Sequence, residues 1–400
     1  MNILFLSIGG LNNINDQSIY TDLIKVFRDN GHNVYVVSPR ERRQNLPTEY
    51  RNEYGINILR IRIGNITKTS LIEKGISTIM LESLFINGIK KYLNNVKFDI
   101  VIYSTPPITF GKVVKYIIKR DNAKTYLLLK DIFPQNAVDL KMFSKRNPIY
   151  WFFRKKEKDL YRYSDFIGCM SEANVEYILK NNPEIDPSKV EVCPNSIDPK
   201  EIANDDEQIK KIRRKYNIPT DKTVFIYGGN LGKPQGIDFI IECLKANKNN
   251  DKVYFMIVGS GTEFYKLKSF FDVENINNAQ LLSQLPNNEY EEMVSACDVG
   301  LIFLDDRFTI PNFPSRLLSY MQASIPVLAA TDVNTDIWKV IEKGNFGFWC
   351  ESNNIEEFNK QINKFNDKDL CKQLGKNARK YLEEHYTVKH SYEIIIKHFE

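Results

Sequence analysis

The segment Phe308–Asp332, FTIPNFPSRLLSYMQASIPVLAATD, combines residue types that suit an anionic ligand. Pro311 and Pro314 predict that a helix begins just after them, because proline fixes its own φ and lacks the N–H that a helix interior needs. The first turn would offer unpaired backbone N–H groups, a hydroxyl and a guanidinium, which suit a phosphate or diphosphate. These donors belong to Ser315, Arg316 and Leu317. The alternative is an ordinary helix start whose arginine points into solvent.

A second candidate is the glycine-rich loop Tyr227–Gly236, YGGNLGKPQG, between a predicted strand and a predicted helix. The side chains that could reach a diphosphate or a sugar are those of Asn230, Lys233 and Gln235. The loop contains neither G-K-[ST] nor G-x-G-x-x-G. Its place at the carboxyl end of a strand, where α/β sheets bind ligands, favours binding over a plain turn with a solvated lysine.

The segment Val258–Phe264, VGSGTEF, begins like a dinucleotide fingerprint. Phe264 stands where the third glycine would be, which argues against NAD. A nucleotide could still lie near Gly259 and Gly261. The loop Leu282–Pro286, which includes Leu285, offers a place where a base could stack or pair with main-chain groups.

Two features of the first half also carry candidate chemistry. Gly9 and Gly10 follow an apolar run and predict a loop that lets a ligand approach the backbone closely. In LKDIFPQNAVD, Asp131 follows a predicted strand and could orient a hydroxyl or stabilise positive charge on a sugar ring. The alternative for Asp131 is a helix cap or an ion-pair partner of Lys130.

The stretch Lys141–Arg162 interleaves aromatic and basic residues on a predicted helix. This pattern suits the interface of an anionic membrane, where rings lie among headgroups and lysines meet phosphates. The alternative is an amphipathic surface helix whose aromatic side chains pack on the core. The residues expected to face a membrane or acceptor are Lys145, Arg146, Tyr150, Trp151, Arg154 and Lys155.

Composition narrows the class of protein. The 400 residues are 42% hydrophobic and can bury two cores, while a net charge of +5 is too small to indicate nucleic-acid binding. The six cysteines are scattered without C-x-x-C, which indicates reduced thiols in a cytoplasmic protein, and the four histidines show no metal-site spacing. We expect no metal, no cofactor, no signal peptide and no membrane-spanning helix.

Strands and helices alternate through both halves of the chain, which predicts two parallel, doubly wound α/β sheets. In the first half, a helix between two strands has apolar residues at a spacing of three to five, including Ile76, Ile79 and Ile89. The segment Pro194–Thr220 is rich in charge and turn residues and is the predicted linker.

These motifs occur in an order that resembles a retaining family 4 glycosyltransferase of the GT-B fold, in the branch similar to fucosaminyltransferases of capsule and O-antigen synthesis. They are CPNSID at Cys193–Asp198, GGNLGKPQG, VGSG and NFPSRLLSYMQASIPVLA. The resemblance implies an acceptor domain over residues 1–205, a nucleotide-sugar domain over 206–383 and a final helix, 384–400, that returns to the first domain. It also implies a UDP-sugar donor, a lipid-linked or glycan acceptor, no metal, and a place on the inner face of the cell membrane.

By position, the resemblance implies that Ser315, Arg316 and Leu317 hold the diphosphate and that Asn230, Lys233 and Gln235 flank it. Two departures from the family stand out. The family's two glutamates, eight positions apart, correspond to Pro311 and Ser319, and its basic pair corresponds to Asn230 and Gln235. Lys233 would then supply the missing charge, and the histidine common after the fifth strand is replaced by Lys130 and Asp131.

Two other functions stay open on the sequence. A nucleotide-sugar epimerase can share this fold, but it would need carboxylate acid/base pairs, and Asp131 is the one candidate. A non-catalytic nucleotide-sugar-binding partner of another transferase would agree with the missing glutamates.

Overall fold

A computed structural model gives the architecture of the chain. It describes residues 1–7, 9, 11, 13–67, 69–201, 206–274 and 276–400, with the side chains of 71 and 72 left out. Gly10, predicted to lie near a ligand, falls outside the described residues. The chain divides into two compact units, Met1–Asp198 with Val388–Glu400, and Pro199–Thr387. The predicted divisions at 205 and 384 lie a few residues away from these.

The sheet of the first unit has eight strands in the order β3-β4-β2-β1-β5-β6-β7-β8. Every pairing is parallel except that of β3 with β4. The strands are β1 (Asn2–Leu6), β2 (Asn33–Glu41), β3 (Glu49–Glu53), β4 (Ile56–Ile63), β5 (Ile100–Thr105), β6 (Lys124–Leu129), β7 (Phe166–Cys169) and β8 (Val190–Val192).

The sheet of the second unit has six parallel strands in the order β11-β10-β9-β12-β13-β14. The strands are β9 (Thr223–Asn230), β10 (Val253–Ser260), β11 (Ala279–Ser283), β12 (Val299–Phe303), β13 (Val327–Thr331) and β14 (Gly347–Glu351). Since parallel strands end at one edge, the loops after β9, β10 and β12 lie side by side there. These loops contain most of the candidate residues of the second half.

The helices follow the strands in alternation along both units. In chain order they are α1 (Thr21–Asp29), α2 (Leu71–Tyr92), α3 (Gly111–Asp121), α4 (Gln135–Asp139), α5 (Pro148–Tyr163), α6 (Glu172–Asn181), α7 (Asp206–Lys215), α8 (Ile237–Ala246), α9 (Phe264–Val273), α10 (Asn287–Ser295), α11 (Arg316–Gln322), α12 (Ile337–Gly344), α13 (Ile355–Lys364), α14 (Lys368–His385) and α15 (Val388–Ile396).

Each unit has a core formed by apolar strands that are covered by helices. In the first unit, Ile3 and Ile102 of the sheet pack with Phe27 of α1 and with Ile395 and Ile396 of α15. The last helix therefore contributes to the core of the first unit. The predicted pair of parallel α/β sheets is confirmed, with the antiparallel edge strand β3 as a departure from the prediction.

The predicted helix is present as α2, but its apolar residues do not all lie on a buried face. Ile89 is fully buried, but Ile76 and Ile79 are exposed. Met80 beside them is exposed as well. The first half of α2 thus presents apolar side chains to solvent.

Candidate functional site

The loop after β9 is braced by its own polar groups. The Tyr227 hydroxyl donates to the Asn230 carbonyl at 2.7 Å. The Gln235 side-chain oxygen accepts from the Asn230 amide at 3.1 Å and from the Gly232 N–H at 3.2 Å. Gln235 is buried, so its side chain stabilises the loop. It does not extend toward a ligand, which differs from the prediction. Lys233 lies at the exposed tip of the loop.

Arg316 is the first residue of α11 and lies against this loop. Its guanidinium carbon is 4.2 Å from the centroid of the Tyr227 ring, a cation–π distance. Gly229 has φ +127°, and a Cβ at this position would lie 3.4 Å from Nη2 of Arg316. The Nη1 atom is buried and has no hydrogen-bond partner among the described residues. An unpaired buried donor of a charged group is costly, so this atom favours an anionic ligand.

The predicted cradle of three unpaired N–H groups at the start of α11 differs from the structure at Leu317. Helix α11 begins at the predicted place, and Ser315 is exposed just before it. The Leu317 N–H, however, donates to the Pro314 carbonyl at 3.2 Å, and the Leu317 side chain is fully buried. The prediction of an unpaired N–H at Leu317 is wrong, because the chain closes a turn at that point. Ser319 lies one turn further along α11, half-buried.

The segment before α11 is held by a buried carboxylate that the sequence reasoning missed. Asp332 follows β13 and accepts from the N–H groups of Asn334 and Thr335 and from the Thr335 hydroxyl, each at 2.9 Å. The Thr335 hydroxyl in turn accepts from the Asn312 N–H at 3.1 Å. Asn334 donates to the Phe308 carbonyl at 2.6 Å. Burial raises the pKa of Asp332 to about 6.

Two glycines predicted to contact a nucleotide allow backbones to pack closely. A Cβ on Gly259 would lie 1.9 Å from the Gly229 carbonyl oxygen, and one on Gly261 would lie 2.2 Å from the Leu231 carbonyl oxygen. Only glycine fits such contacts. These two residues therefore shape the loop after β9, whatever they bind. Leu285 lies half-buried in the loop between β11 and α10.

A pocket of about 330 Å³ opens beside the loop after β9. Four of its charged lining residues form ion pairs with each other, Lys266 with Asp238 at 2.5 Å and Arg307 with Asp305 at 2.6 Å. Lys233 also lines the pocket. The volume is large enough for a monosaccharide-sized group.

In the first unit, Asp131 and Lys130 have partners close by. The Asn136 amide donates to both carboxylate oxygens of Asp131, at 2.9 and 3.2 Å. Burial raises the pKa of Asp131, against the hydrogen bonds from Ile132 and Asn136. Lys130 donates to the Cys193 carbonyl at 3.4 Å, so it is not the ion-pair partner of Asp131. Burial lowers the pKa of Lys130 to about 8.

Gly9 is exposed three residues after the end of β1, and a Cβ there would lie 3.6 Å from the Ser7 hydroxyl. This is an ordinary contact distance, so the described neighbours leave room at Gly9.

The predicted membrane-facing residues separate into two groups. Lys145, Arg146, Trp151 and Lys155 are exposed. Tyr150 is buried, and Arg154 donates to Glu157 and to the Asn182 side chain, each at 2.6 Å. Tyr150 and Arg154 belong to the packing of α5, which contradicts their predicted place on the surface.

Two kinds of feature are absent from the part of the chain that the structure describes. No described group of histidine, cysteine, aspartate and glutamate side chains has the arrangement of a metal site. Among the described helices, none has the length and apolar content needed to cross a bilayer.

Comparison with known families matches both halves of the chain. The family described as "Glycosyltransferase Family 4" matches residues 18–201, and "Glycosyl transferases group 1" matches residues 208–381. A relative from Pseudomonas aeruginosa, "Probable glycosyltransferase WbjE", is 26% identical over 322 residues, which are 80% of this chain and 78% of the relative.

Solved structures share the fold at low identity. WaaG, "a glycosyltransferase involved in lipopolysaccharide biosynthesis", has a TM-score of 0.67 and 14% identity, with 99% of each chain covered. Anabaena HepE in complex with UDP-glucose has a TM-score of 0.70 and 15% identity, with 100% of this chain and 99% of that chain covered. The predicted GT-B fold is thereby confirmed.

Proposed function

We propose that this chain, a glycosyltransferase by its family 4 and group 1 domains, transfers a sugar from a UDP-sugar to a lipid-linked or surface-glycan acceptor with retention of configuration. The proposed sugar is an N-acetylated hexosamine or deoxyhexosamine, as in the fucosaminyltransferase-like branch. The names of the relatives support this proposal, since WaaG takes part in lipopolysaccharide biosynthesis and HepE binds UDP-glucose.

The observation that carries the proposal is the buried, unpaired Nη1 of Arg316. Its guanidinium already lies against the Tyr227 ring and next to Gly229, which has no side chain. A planar guanidinium can bind a phosphate through two parallel hydrogen bonds. A diphosphate oxygen bonded to this donor would satisfy it.

The chemistry follows from the charge that develops on the leaving group. When the bond between the anomeric carbon and the diphosphate breaks, negative charge grows on the phosphate oxygens. Arg316 and the exposed Lys233 would stabilise that charge, and the Ser315 hydroxyl would add a hydrogen bond. We propose that these side chains suffice without a metal or cofactor. The acceptor hydroxyl attacks from the face that the diphosphate leaves, and it gives its proton to an oxygen of the leaving diphosphate.

The proposed acceptor is carried by a lipid at the inner face of the cell membrane. The exposed residues Lys145, Arg146, Trp151 and Lys155 support peripheral association with an anionic surface.

The test is thermal unfolding with UDP, GDP, ADP, NAD and UDP-N-acetylhexosamines. A ligand at ~100 times its Kd adds ~2.7 kcal/mol to the free energy of unfolding. We expect stabilisation by the uridine nucleotides, which Arg316→Ala reduces strongly and Arg316→Lys reduces less. The exposed Arg214 of α7 provides a matched control, since Arg214→Ala should keep the full shift. Stabilisation by NAD alone, or equal shifts in wild type and Arg316→Ala, would contradict the proposal.

A further inference from the structure

Apolar surface is concentrated in two short stretches of the first unit. Fourteen large apolar side chains are exposed among the described residues, and seven of them lie within residues 76–80 and 142–152. They are Ile76, Ile79 and Met80 on α2, Met142 before α5, and Ile149, Trp151 and Phe152 on α5. Each of the seven is between 48% and 66% exposed. Scattered exposed hydrophobic residues are normal, but a concentration of this kind indicates an interaction surface.

An ion pair joins the helices that contain the two stretches. The Glu82 carboxylate of α2 accepts from Lys156 of α5 at 2.7 Å and from the Lys112 N–H at the start of α3 at 2.8 Å. Ile79 precedes Glu82 by three residues, and Phe152 precedes Lys156 by four, so each lies one turn before a bridged residue on the same helix face. Helices α2 and α5 both follow strands that run parallel, so they start at the same edge of the sheet.

The apolar exposure stops halfway along both helices. On α2, the exposed residues after Met80 include Ser83, Asn87 and Lys90. On α5, they are the basic residues Lys155, Lys158 and Arg162. The apolar surface is therefore confined to the turns at the carboxyl edge of the sheet, and a polar zone follows it on both helices.

The charge around this surface is of one sign. The segment from Leu140 to Lys156 contains no aspartate or glutamate, and its exposed cations are Lys141, Lys145, Arg146 and Lys155. The two carboxylates of α2 are occupied, Glu73 by Arg42 at 2.9 Å and Glu82 by Lys156. An apolar patch with a basic margin matches an anionic bilayer, whose acyl chains lie beneath phosphate headgroups.

We propose that the first half of α2 inserts into an anionic membrane together with the start of α5, through Ile76, Ile79 and Met80. This inference deepens the proposed membrane association and rests on it. Insertion of two helices fixes the tilt of the first unit on the bilayer. Insertion of α5 alone would still allow the unit to rotate about the axis of that helix.

The test is sedimentation of the full chain with vesicles of phosphatidylcholine, pure or mixed with phosphatidylglycerol. We expect the double variant Ile76→Ser, Ile79→Ser to lose roughly tenfold or more in partitioning to the mixed vesicles, because two exposed isoleucines that would enter the bilayer are removed. Trp151→Ser should weaken binding to a similar degree. The matched control Asn87→Ser, exposed on the same helix, should bind as wild type does. Equal binding by the double variant and wild type would overturn the proposal.

A second measurement locates α2 directly. Ile79→Trp in a Trp151→Phe background should be quenched by brominated acyl chains, and Asn87→Trp in the same background should not. If instead wild type dimerises without lipid and the double serine variant is monomeric, the surface is an interface between copies and the proposal is wrong. Thermal shift with UDP, measured on every variant, separates these outcomes from failure of the donor assignment in the second unit.

Discussion

The loops after the strands of the two sheets contain charged side chains that differ in their hydrogen-bond partners. In the first unit, Asp131 is bonded to Asn136 and Lys130 to the Cys193 carbonyl. In the second unit, Arg316 is held by the Tyr227 ring and still has a buried, unpaired N–H. Both sites contain the charged residues expected from the sequence, but only the second leaves a strong donor for a ligand. Hydrogen-bond satisfaction distinguishes a binding group from a structural one where residue type does not.

The same loops differ in how closely their backbones pack. A Cβ added to Gly259 would overlap the carbonyl oxygen of Gly229. A Cβ added to Gly9 would lie at an ordinary contact distance from its nearest described neighbour. The second site is therefore more sensitive to small changes of shape.

The largest effect that we expect is on the close contact between strand ends in the second unit. Gly259→Ala should lower the free energy of unfolding by roughly 3 kcal/mol, because the added methyl meets a backbone oxygen that cannot swing aside. Gly9→Ala should change it by less than about 0.5 kcal/mol. Urea unfolding of both variants measures the difference. Similar stabilities would remove the contrast between the two loops.

The next effect is on nucleotide binding. Arg316→Ala should weaken UDP binding by about 1.5–3 kcal/mol, roughly 10- to 150-fold in Kd, because a charge-assisted hydrogen bond is lost. Lys130→Ala should leave the Kd of UDP unchanged, since this ammonium is bonded within the first unit. Isothermal titration calorimetry of both variants is the measurement. A loss of UDP affinity in Lys130→Ala would show that the first unit also binds the nucleotide.

A smaller effect concerns Asp332. Its pKa is about 6 in the folded chain against 3.8 for the ordinary group, so the folded state binds more protons between these values. This contribution to stability is complete below pH 3.8 and is lost as the pH rises through 6, by on the order of 2 kcal/mol. Asp332→Asn should lack this loss when urea unfolding is compared from pH 4 to 7. Parallel pH profiles of wild type and variant would contradict the assignment.

The smallest effect is expected at Lys130 in the first unit. Its pKa is lowered to about 8 from 10.5, so the unfolded chain binds more protons between these values, and stability should rise with pH across this interval. We expect a rise of about 1 kcal/mol in wild type between pH 8 and pH 9. Lys130→Met should show none and should be at least as stable at pH 7. If the stability of wild type decreases with pH and that of the variant does not, a negative charge near Lys130 raises its pKa, which would contradict the prediction.

Much of the fold could be predicted because buried parallel strands are continuous apolar runs. Thr223–Tyr227 is such a run, and strand β9 continues from it to Asn230. Strands β3 and β14 lack this signal and could not be predicted in this way. Strand β3, EYRNE, is polar and lies at an edge, and β14, GFWCE, is short and begins at glycine.

The candidate site was predicted only in part, because hydrogen-bond partners depend on tertiary contacts. The position of Arg316 follows from the prolines before it, but its contact with Tyr227 joins residues far apart in the chain. Asp332 has a local signal in the sequence, a threonine three residues later that can close a turn with it. The exposure of Ile79 could not be predicted, since its spacing fits a buried helix face equally well.

The return of α15 to the first unit has a consequence for biosynthesis. Ile395 and Ile396 belong to the first core, His398 stacks on Phe166 at 3.8 Å, and Lys397 and His398 both contact Glu191 at 2.7 Å. The ribosome must therefore translate the whole second unit before the first can complete its core, although the first is encoded earlier. The second unit is one uninterrupted segment and can fold before the last helix of the first unit has been synthesised. A premature stop codon after residue 387 would accordingly damage the unit at the opposite end of the gene.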